Sequence, residues 1–425
     1  MIKRPFFSLG KPRLRYPAIG VPGGELKQLL LPGKVTLLVR GCDVGAIRLK
    51  AGAQVLTGQR LQLTEDPQVH VMSTVTGTVT GVWEYMGYLN QSYAAISINV
   101  SGQDRVDESV VSALGEPTYE TACTYLSDLP GKSDFLSLLR SDPPVNTVVV
   151  NCMDQDLLVS TRGHVVMTDP EGLVSGIEVL KKVAKVGRVV VAVPSELVSV
   201  LSGTGVDMLE VSSGYPSGLC GMIAQDILGG AYDPGKGFEQ MGLGFISAEA
   251  VISLGGLRGG GGLPIDKVVT VIGKDGSVDL VKVRMGTSVG DVLEAVGIST
   301  FHGDRVVMGG PMAGKTVYTD DMPILADTDA IMVQDQTEVV LAEDVQCVNC
   351  GECVRVCPVN VPVNMLVRVL SSGLYEEASD MYDLHCCIEC GLCDYVCVAR
   401  IPIFHHIMLG KHECGRINDV EGSNG

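Results

Sequence analysis

Eight of the 14 cysteines stand in two runs of identical spacing. The first reads Cys347-Val-Asn-Cys350-Gly-Glu-Cys353-Val-Arg-Val-Cys357, the second Cys387-Ile-Glu-Cys390-Gly-Leu-Cys393-Asp-Tyr-Val-Cys397. Two-residue gaps let a tight loop wrap three thiolates round one face of a metal–sulfur cube, and the longer step carries the fourth toward a neighbouring cube. This is the ligand run of 4Fe-4S clusters, in which the fourth cysteine serves the other cluster of a pair. Cys347, Cys350, Cys353 and Cys397 are therefore assigned to one cluster, and Cys387, Cys390, Cys393 and Cys357 to a second. A zinc site would use paired C-x2-C knuckles, and a disulfide framework belongs to small secreted chains. Neither fits runs of four in 425 residues.

Between the runs, Val363, Leu366, Val367 and Leu370, then Leu374, Ala378 and Met381, recur at helical spacing. Gly373 punctuates them, which predicts two short helices joined at residues 371–373. The expected module is an α-helical ferredoxin whose paired clusters pass electrons.

The rest of the chain is long enough for about two to four domains. Its composition, 46% hydrophobic and 19% charged, suits packed globular units. The formal charge of −17, about −21 with two clusters ligated, and the lack of a basic stripe exclude nucleic acid as a partner. No segment reads as a membrane span, and the opening Met1–Phe7 lacks an apolar stretch suited to export. A soluble or peripheral protein in a reducing cytoplasm is expected.

From residue 31 to about 100, short alternating strands with glycine turns are predicted at 35–39, 47–50, 59–63, 71–75, 78–80 and 95–98. They resemble the two halves of a biotinyl/lipoyl-like barrel-sandwich, without a lysine after Met72-Ser73 to carry a swinging arm. Residues 104–144, punctuated by Pro117, Pro130, Gly131, Pro143 and Pro144, read as a connector. Continuous apolar runs at 147–150, 188–192 and 208–211, separated by helical stretches near 173–186 and 194–201, imply a parallel sheet covered on both faces. A helix near 247–253 follows, and Gly259–Gly262 reads as a hinge. A hairpin (267–272, 281–284), a helix near 289–296 and the run 305–314 then form a small β-grasp-like unit.

In this order, with Val306-Val-Met-Gly-Gly-Pro-Met-Ala-Gly314 in an SLBB-like β-grasp and the two cysteine runs, the chain resembles RnfC, the peripheral cytoplasmic subunit of the Rnf complex. NqrA and the flavoprotein subunit of complex I are more distant relatives by architecture. The resemblance implies a multidomain α/β and α+β fold: an N-terminal extension (1–30), a barrel-sandwich hybrid (31–103), a connector (104–144), a Rossmann-like α/β domain (145–258), an SLBB β-grasp (259–338), an α-helical 2×(4Fe-4S) ferredoxin domain (339–412) and a tail (413–425). It also implies a membrane complex that couples electron transfer between ferredoxin and NAD to ion translocation. The other Rnf subunits, integral membrane ones included, and ferredoxin or another redox donor would be partners, with the chain on the cytoplasmic face of the membrane.

RnfC carries FMN and an NADH site, and here the chain departs from the pattern. Residues 122–144 hold a single glycine, Gly131, where a Gly-rich flavin loop is expected. The acidic pair of the family appears as Asp154 and Asp156. Tyr215 and Gly218 match the Tyr-Pro-x-Gly turn, but Leu219-Cys220-Gly221 replaces the charged residues after it. Asp154, Asp156, Tyr215 and Gly218 are thus the candidate remnants of an FMN/NADH site. The leading expectation is a relay subunit with two 4Fe-4S clusters and no firm assignment of FMN or NAD(H). A flavin-dependent NADH dehydrogenase with altered loops and a soluble iron–sulfur adaptor of another reductase are the alternatives.

Cys42, Cys123, Cys152 and Cys220 read as small core residues. Cys386 adjoins Cys387, whose spacing completes the run. His385, His405, His406 and His412 surround the module and read as hydrogen-bonded or solvent-facing.

Overall fold

The structure is a computed structural model that describes residue 14 and residues 26–423, apart from 234, 259–261 and 344; for 231 and 417–423 the description covers the backbone only. Most of the expected N-terminal extension and three of the four hinge glycines lie outside the described residues. Among the described residues the fold is mixed α/β, with four sheets and a helical C-terminal part.

Lys34–Arg40, Ser92–Val100, Gly77–Met86 and Gln54–Val55 form one antiparallel sheet in that order, and Arg60–Gln62 pairs with His70–Met72 in a small second one. Alternate residues of these strands, among them Val35, Leu37, Leu61, Val71, Ile96 and Ile98, meet in one apolar core. The strand expected at 47–50 is absent. Asp43 caps a 3-10 turn at Val44–Ala46, and the chain leaves it extended but unpaired as a strand.

The central sheet is parallel, in the order Asp207–Val211, Arg188–Pro194, Thr147–Asn151, Leu243–Ser247. Its strands alternate between two cores. Val148 and Val150 join the larger one, and Val149 faces the other with Ala192, Ile223 and Ala224. Burial on both faces is why these strands read as unbroken valine runs. On the larger face lie the helices Pro170–Ala184 and Ala248–Gly256. Asp169 caps the first through Gly172 N–H, and Pro170 opens it at a position that needs no donor. A Cβ at Gly176 would strike the Val251 carbonyl, so glycine is what lets these two helices approach so closely.

Residues 104–144 are more than a connector. They hold three short helices, Glu108–Leu114, Tyr119–Tyr125 and Phe135–Leu139. Val110, Leu114, Ala122, Leu126 and Phe135 are buried in the larger core. The prolines cut the apolar pattern into pieces too short to show a helical period.

A six-stranded mixed sheet follows, in the order Lys27–Gln28, Val278–Arg284, Asp266–Ile272, Ala330–Gln334, Arg305–Met308, Lys315–Thr316. The helix Val289–Ala295 packs on it. The hairpin and helix lie where expected, and Lys27–Gln28 adds a parallel edge strand from the start of the chain.

The C-terminal part is helical. Val363–Ser371 and Tyr375–Tyr382 flank Gly373, which takes a left-handed φ of 74°, and Ile403–Ser423 packs across both. Among the described residues no helix is long and apolar enough to cross a membrane.

Candidate metal centres and the adjoining pocket

The two cysteine runs fold alike. Asn349 and Glu389 both take positive φ (55° and 60°), and each directs its N–H at the preceding cysteine sulfur, Cys347 or Cys387, at 3.4 Å. Gly351 and Gly391 (φ 79° and 67°) then start the short helices Glu352–Val356 and Leu392–Tyr395, which carry Cys353 and Cys393. Asn360 and Arg400 (φ 58° and 52°) close a turn onto the carbonyls of Cys357 and Cys397. The same backbone path is thus written twice, 40 residues apart.

Cys347, Cys350, Cys353 and Cys397 line one cavity, walled by Val367, Ile401 and Ile403. The crossing of Cys397 to the first run follows from the fold, because Cys397 leads into the helix Ile403–Ser423 packed against Val363–Ser371. Burial pushes the Cys353 thiol up to about 11, and negative charge on Cys347, Cys350 and Cys397 adds to the shift. In the second group burial pushes Cys390 up to about 12, with Cys387 and Cys357 acting on it electrostatically. Cys393 is raised by the same burial and the same neighbours. Four thiols so placed cannot all ionise unless a cationic centre compensates them, which a metal–sulfur cube supplies. The donor set, the apolar walls and the N–H groups aimed at sulfur fit such a group. Among the described residues no three His, Cys, Asp or Glu side chains converge to hold a single metal ion; a cube instead spreads its ligands over several corners.

The two centres differ in surroundings. Cys350 is exposed, while Cys390 and Cys393 are each only 7% exposed. The second centre is seated against other parts of the chain: Cys390 and Leu392 pack with Leu157 and Met312, and a Cβ at Gly391 would collide with the Met312 carbonyl. Cys386 faces Asp383, Asp233 and Lys411, whereas Cys387 has Cys357 beside it. Cys152 and Cys42 are buried. His412 meets the Leu89 carbonyl at 3.2 Å, and His405 and His406 lie near Asp394.

Asp154, Asp156, Tyr215 and Gly218 come together in one pocket at the C-terminal ends of the parallel strands, with Glu196 and Ser213 on its rim. Ligands of open α/β sheets bind at such an end. Yet each polar group already has partners within the chain. The Asp154 carboxylate accepts N–H bonds from Arg162 (2.8 Å) and Gly163 (3.3 Å). Asp156 accepts from Leu157 (2.7 Å), Met312 (3.0 Å) and Ala313 (2.8 Å), tying the pocket to the Gly-Gly-Pro-Met loop. Tyr215 donates its hydroxyl to the Cys390 carbonyl at 2.6 Å. Gly218 lies against Met153, and its carbonyl takes the amides of Asn151 and Gln155. Burial pushes Asp154 up to about 7 and Asp156 up to about 6, against the pull of these N–H donors. A nucleotide anchored here would have to compete with the protein's own backbone.

Sequence reasoning missed a buried ionic network behind this pocket. Lys267, fully buried, reaches Glu249 at 2.5 Å and Asp329 at 2.9 Å, and Arg162 meets Asp329 at 3.0 Å. The network fastens the helices Thr161–Thr168 and Ala248–Gly256 to the six-stranded sheet. A lysine in a mostly apolar strand and a glutamate in a mostly apolar helix were its signs in the sequence.

No family model matches the chain. It is 27% identical over 397 residues to a Methanosarcina acetivorans protein named as the C subunit of an ion-translocating oxidoreductase complex, covering 84% of this chain and 86% of that protein. A Yersinia pseudotuberculosis protein of the same name is 24% identical over 74% of this chain, which spans about half (48%) of that relative's length. The C subunit of the Na(+)-translocating ferredoxin:NAD(+) oxidoreductase complex of Acetobacterium woodii is 23% identical over 75% of this chain and 76% of its own. Among solved structures, an NAD+-reducing [NiFe]-hydrogenase in the H2-reduced state overlaps 70% of this chain and 61% of its own, with 12% identity and a TM-score of 0.45. Over most of its length, then, the chain is similar to several curated proteins named as C subunits of ion-translocating oxidoreductase complexes, at 23–27% identity, the group its motifs resemble.

Proposed function

We propose that the chain is the electron-transfer subunit of an Rnf-type ion-translocating oxidoreductase complex, relaying electrons through two 4Fe-4S clusters. The observation that carries this is the crosswise gathering of thiols: Cys397 with Cys347, Cys350 and Cys353, and Cys357 with Cys387, Cys390 and Cys393. Clusters bound here would supply one-electron chemistry, and the eight cysteines would hold them. Val367, Ile401 and Ile403 give the first centre one apolar wall, while Cys350 stays exposed. Leu157, Met312 and Leu392 wall the second. Backbone N–H groups of Asn349 and Glu389 offset the charge on Cys347 and Cys387.

In this reading residues 31–103 form a barrel-sandwich unit and 259–338 an SLBB-like β-grasp that dock the other subunits, some of them integral to the membrane, on its cytoplasmic face. Ferredoxin or another redox protein is the donor. The pocket at Asp154 and Asp156 is a fastening of the second centre to the α/β domain, so FMN and NADH are not part of the proposed relay. The test is anaerobic purification of the full chain with iron, sulfide and flavin analysis. About eight irons per chain without flavin are expected. Stoichiometric FMN with NADH-dependent bleaching would instead support the flavoprotein alternative.

A further inference from the structure

The doubled cysteine run keeps one backbone and breaks its symmetry in a side chain. At the first centre the residue that donates its N–H to sulfur is Asn349, whose amide oxygen accepts from Asn364 at 3.1 Å, a neutral pair. At the second it is Glu389, whose carboxylate pairs with Lys411 at 2.7 Å. Lys411 also donates to the carbonyl oxygen of Cys387 at 2.6 Å. Its side chain is 18% exposed, so little solvent screens the ammonium. The Lys411 ammonium lies directly on the Cys387 backbone, whereas the Glu389 carboxylate that pairs with it is 41% exposed and better screened by solvent. At the first centre Arg355 donates to the Cys350 carbonyl oxygen, but at 3.4 Å, and its guanidinium is 38% exposed and paired with Glu352, so its charge acts from farther off and is better screened.

Reducing a cluster adds negative charge, so a poorly screened cation against one ligand favours the reduced state, whereas burial of the thiolates opposes it. We infer that Lys411 is a positioning residue that holds up the reduction potential of the centre ligated by Cys387, Cys390, Cys393 and Cys357, offsetting that centre's deeper burial and leaving the first centre untouched. This keeps the buried centre within reach of an electron arriving from the exposed one. The inference rests on the two-cluster reading, and its test separates the two.

The full chain, reconstituted anaerobically with iron and sulfide, is titrated with dithionite against redox mediators while each cluster's EPR signal is followed; Cys350→Ser identifies the signal of the first centre. Lys411→Met is expected to move the midpoint of the second centre to lower potential and leave the first where it was, with Lys411→Arg restoring most of the shift. Glu389→Gln, which leaves the cation unopposed, is expected to move the same midpoint upward. Unchanged midpoints in Lys411→Met with both clusters present overturn the inference. If Lys411→Met loses the cluster, Glu389→Gln decides: an upward shift supports the inference and no shift overturns it. A wild-type chain that takes up no cluster overturns the two-cluster reading instead.

Discussion

The hydroxyl of Tyr215 donates to the carbonyl oxygen of Cys390 at 2.6 Å, joining the turn after the strand Asp207–Val211 to a proposed ligand of the second centre. Tyr215→Phe leaves a mostly buried carbonyl without its donor, at a cost of about 1–3 kcal/mol. The expected outcome is a lower Tm and faster loss of the second centre's signal to an iron chelator, with the first centre's rate unchanged. A second-centre rate unchanged from the wild type would count against this coupling.

Asp156 fastens the Met312 loop through two of its three backbone N–H bonds. Asp156→Ala strands buried donors and should cost about 1–3 kcal/mol in urea unfolding. Because Met312 seats Gly391, the same variant should also bleach its second centre sooner in air. A variant as stable as the wild type would show that the loop is held elsewhere.

Lys267→Met leaves the Glu249 carboxylate buried without its ion-pair partner, while Asp329 keeps Arg162. Breaking a buried ion pair from one side costs about 3–5 kcal/mol. The check is urea unfolding of the anaerobic protein, where the loss should appear as a lower midpoint with little change in slope. A change under 1 kcal/mol, roughly the exposed-pair range, would contradict the dry placement of this lysine.

Asp154 sets a pH dependence. Burial raises it to about 7, more than the Arg162 and Gly163 N–H donors lower it, from an unfolded value near 3.9. Between about pH 4 and 7 the folded chain keeps a proton that the unfolded chain has released, so stability falls as pH rises through that window, by on the order of 1 kcal/mol per unit. Asp154→Asn should flatten the decline of Tm with pH. Identical slopes for variant and wild type would remove Asp154 as its source.

What the sequence showed and what it hid divide on physical lines. The valine runs of the parallel strands and the break at Gly373 are local patterns, and both are where periodicity put them. The helices Thr161–Thr168 and Cys220–Leu228 went unread because neither has a side-chain cap and both are short. The three helices of 104–144 were hidden by proline punctuation. The gathering of Asp154, Asp156, Tyr215 and Gly218 was legible through a family pattern, whereas their engagement by Met312, Ala313 and Cys390 depends on contacts more than 150 residues apart along the chain. Lys411 carried no signal in the sequence, since only the packing of the helix Ile403–Ser423 brings it to Cys387.

The central claim is that the fourth cysteine of each run serves the other cluster, and the EPR spectrum of anaerobic Cys397→Ser tests it most directly. The account predicts about eight irons in the wild-type chain and, in the variant, loss of the signal that Cys350→Ser also removes, with the signal that Cys390→Ser removes left intact. A folded wild-type chain without iron, or a Cys397→Ser variant missing the Cys390 signal and keeping the other, would contradict it.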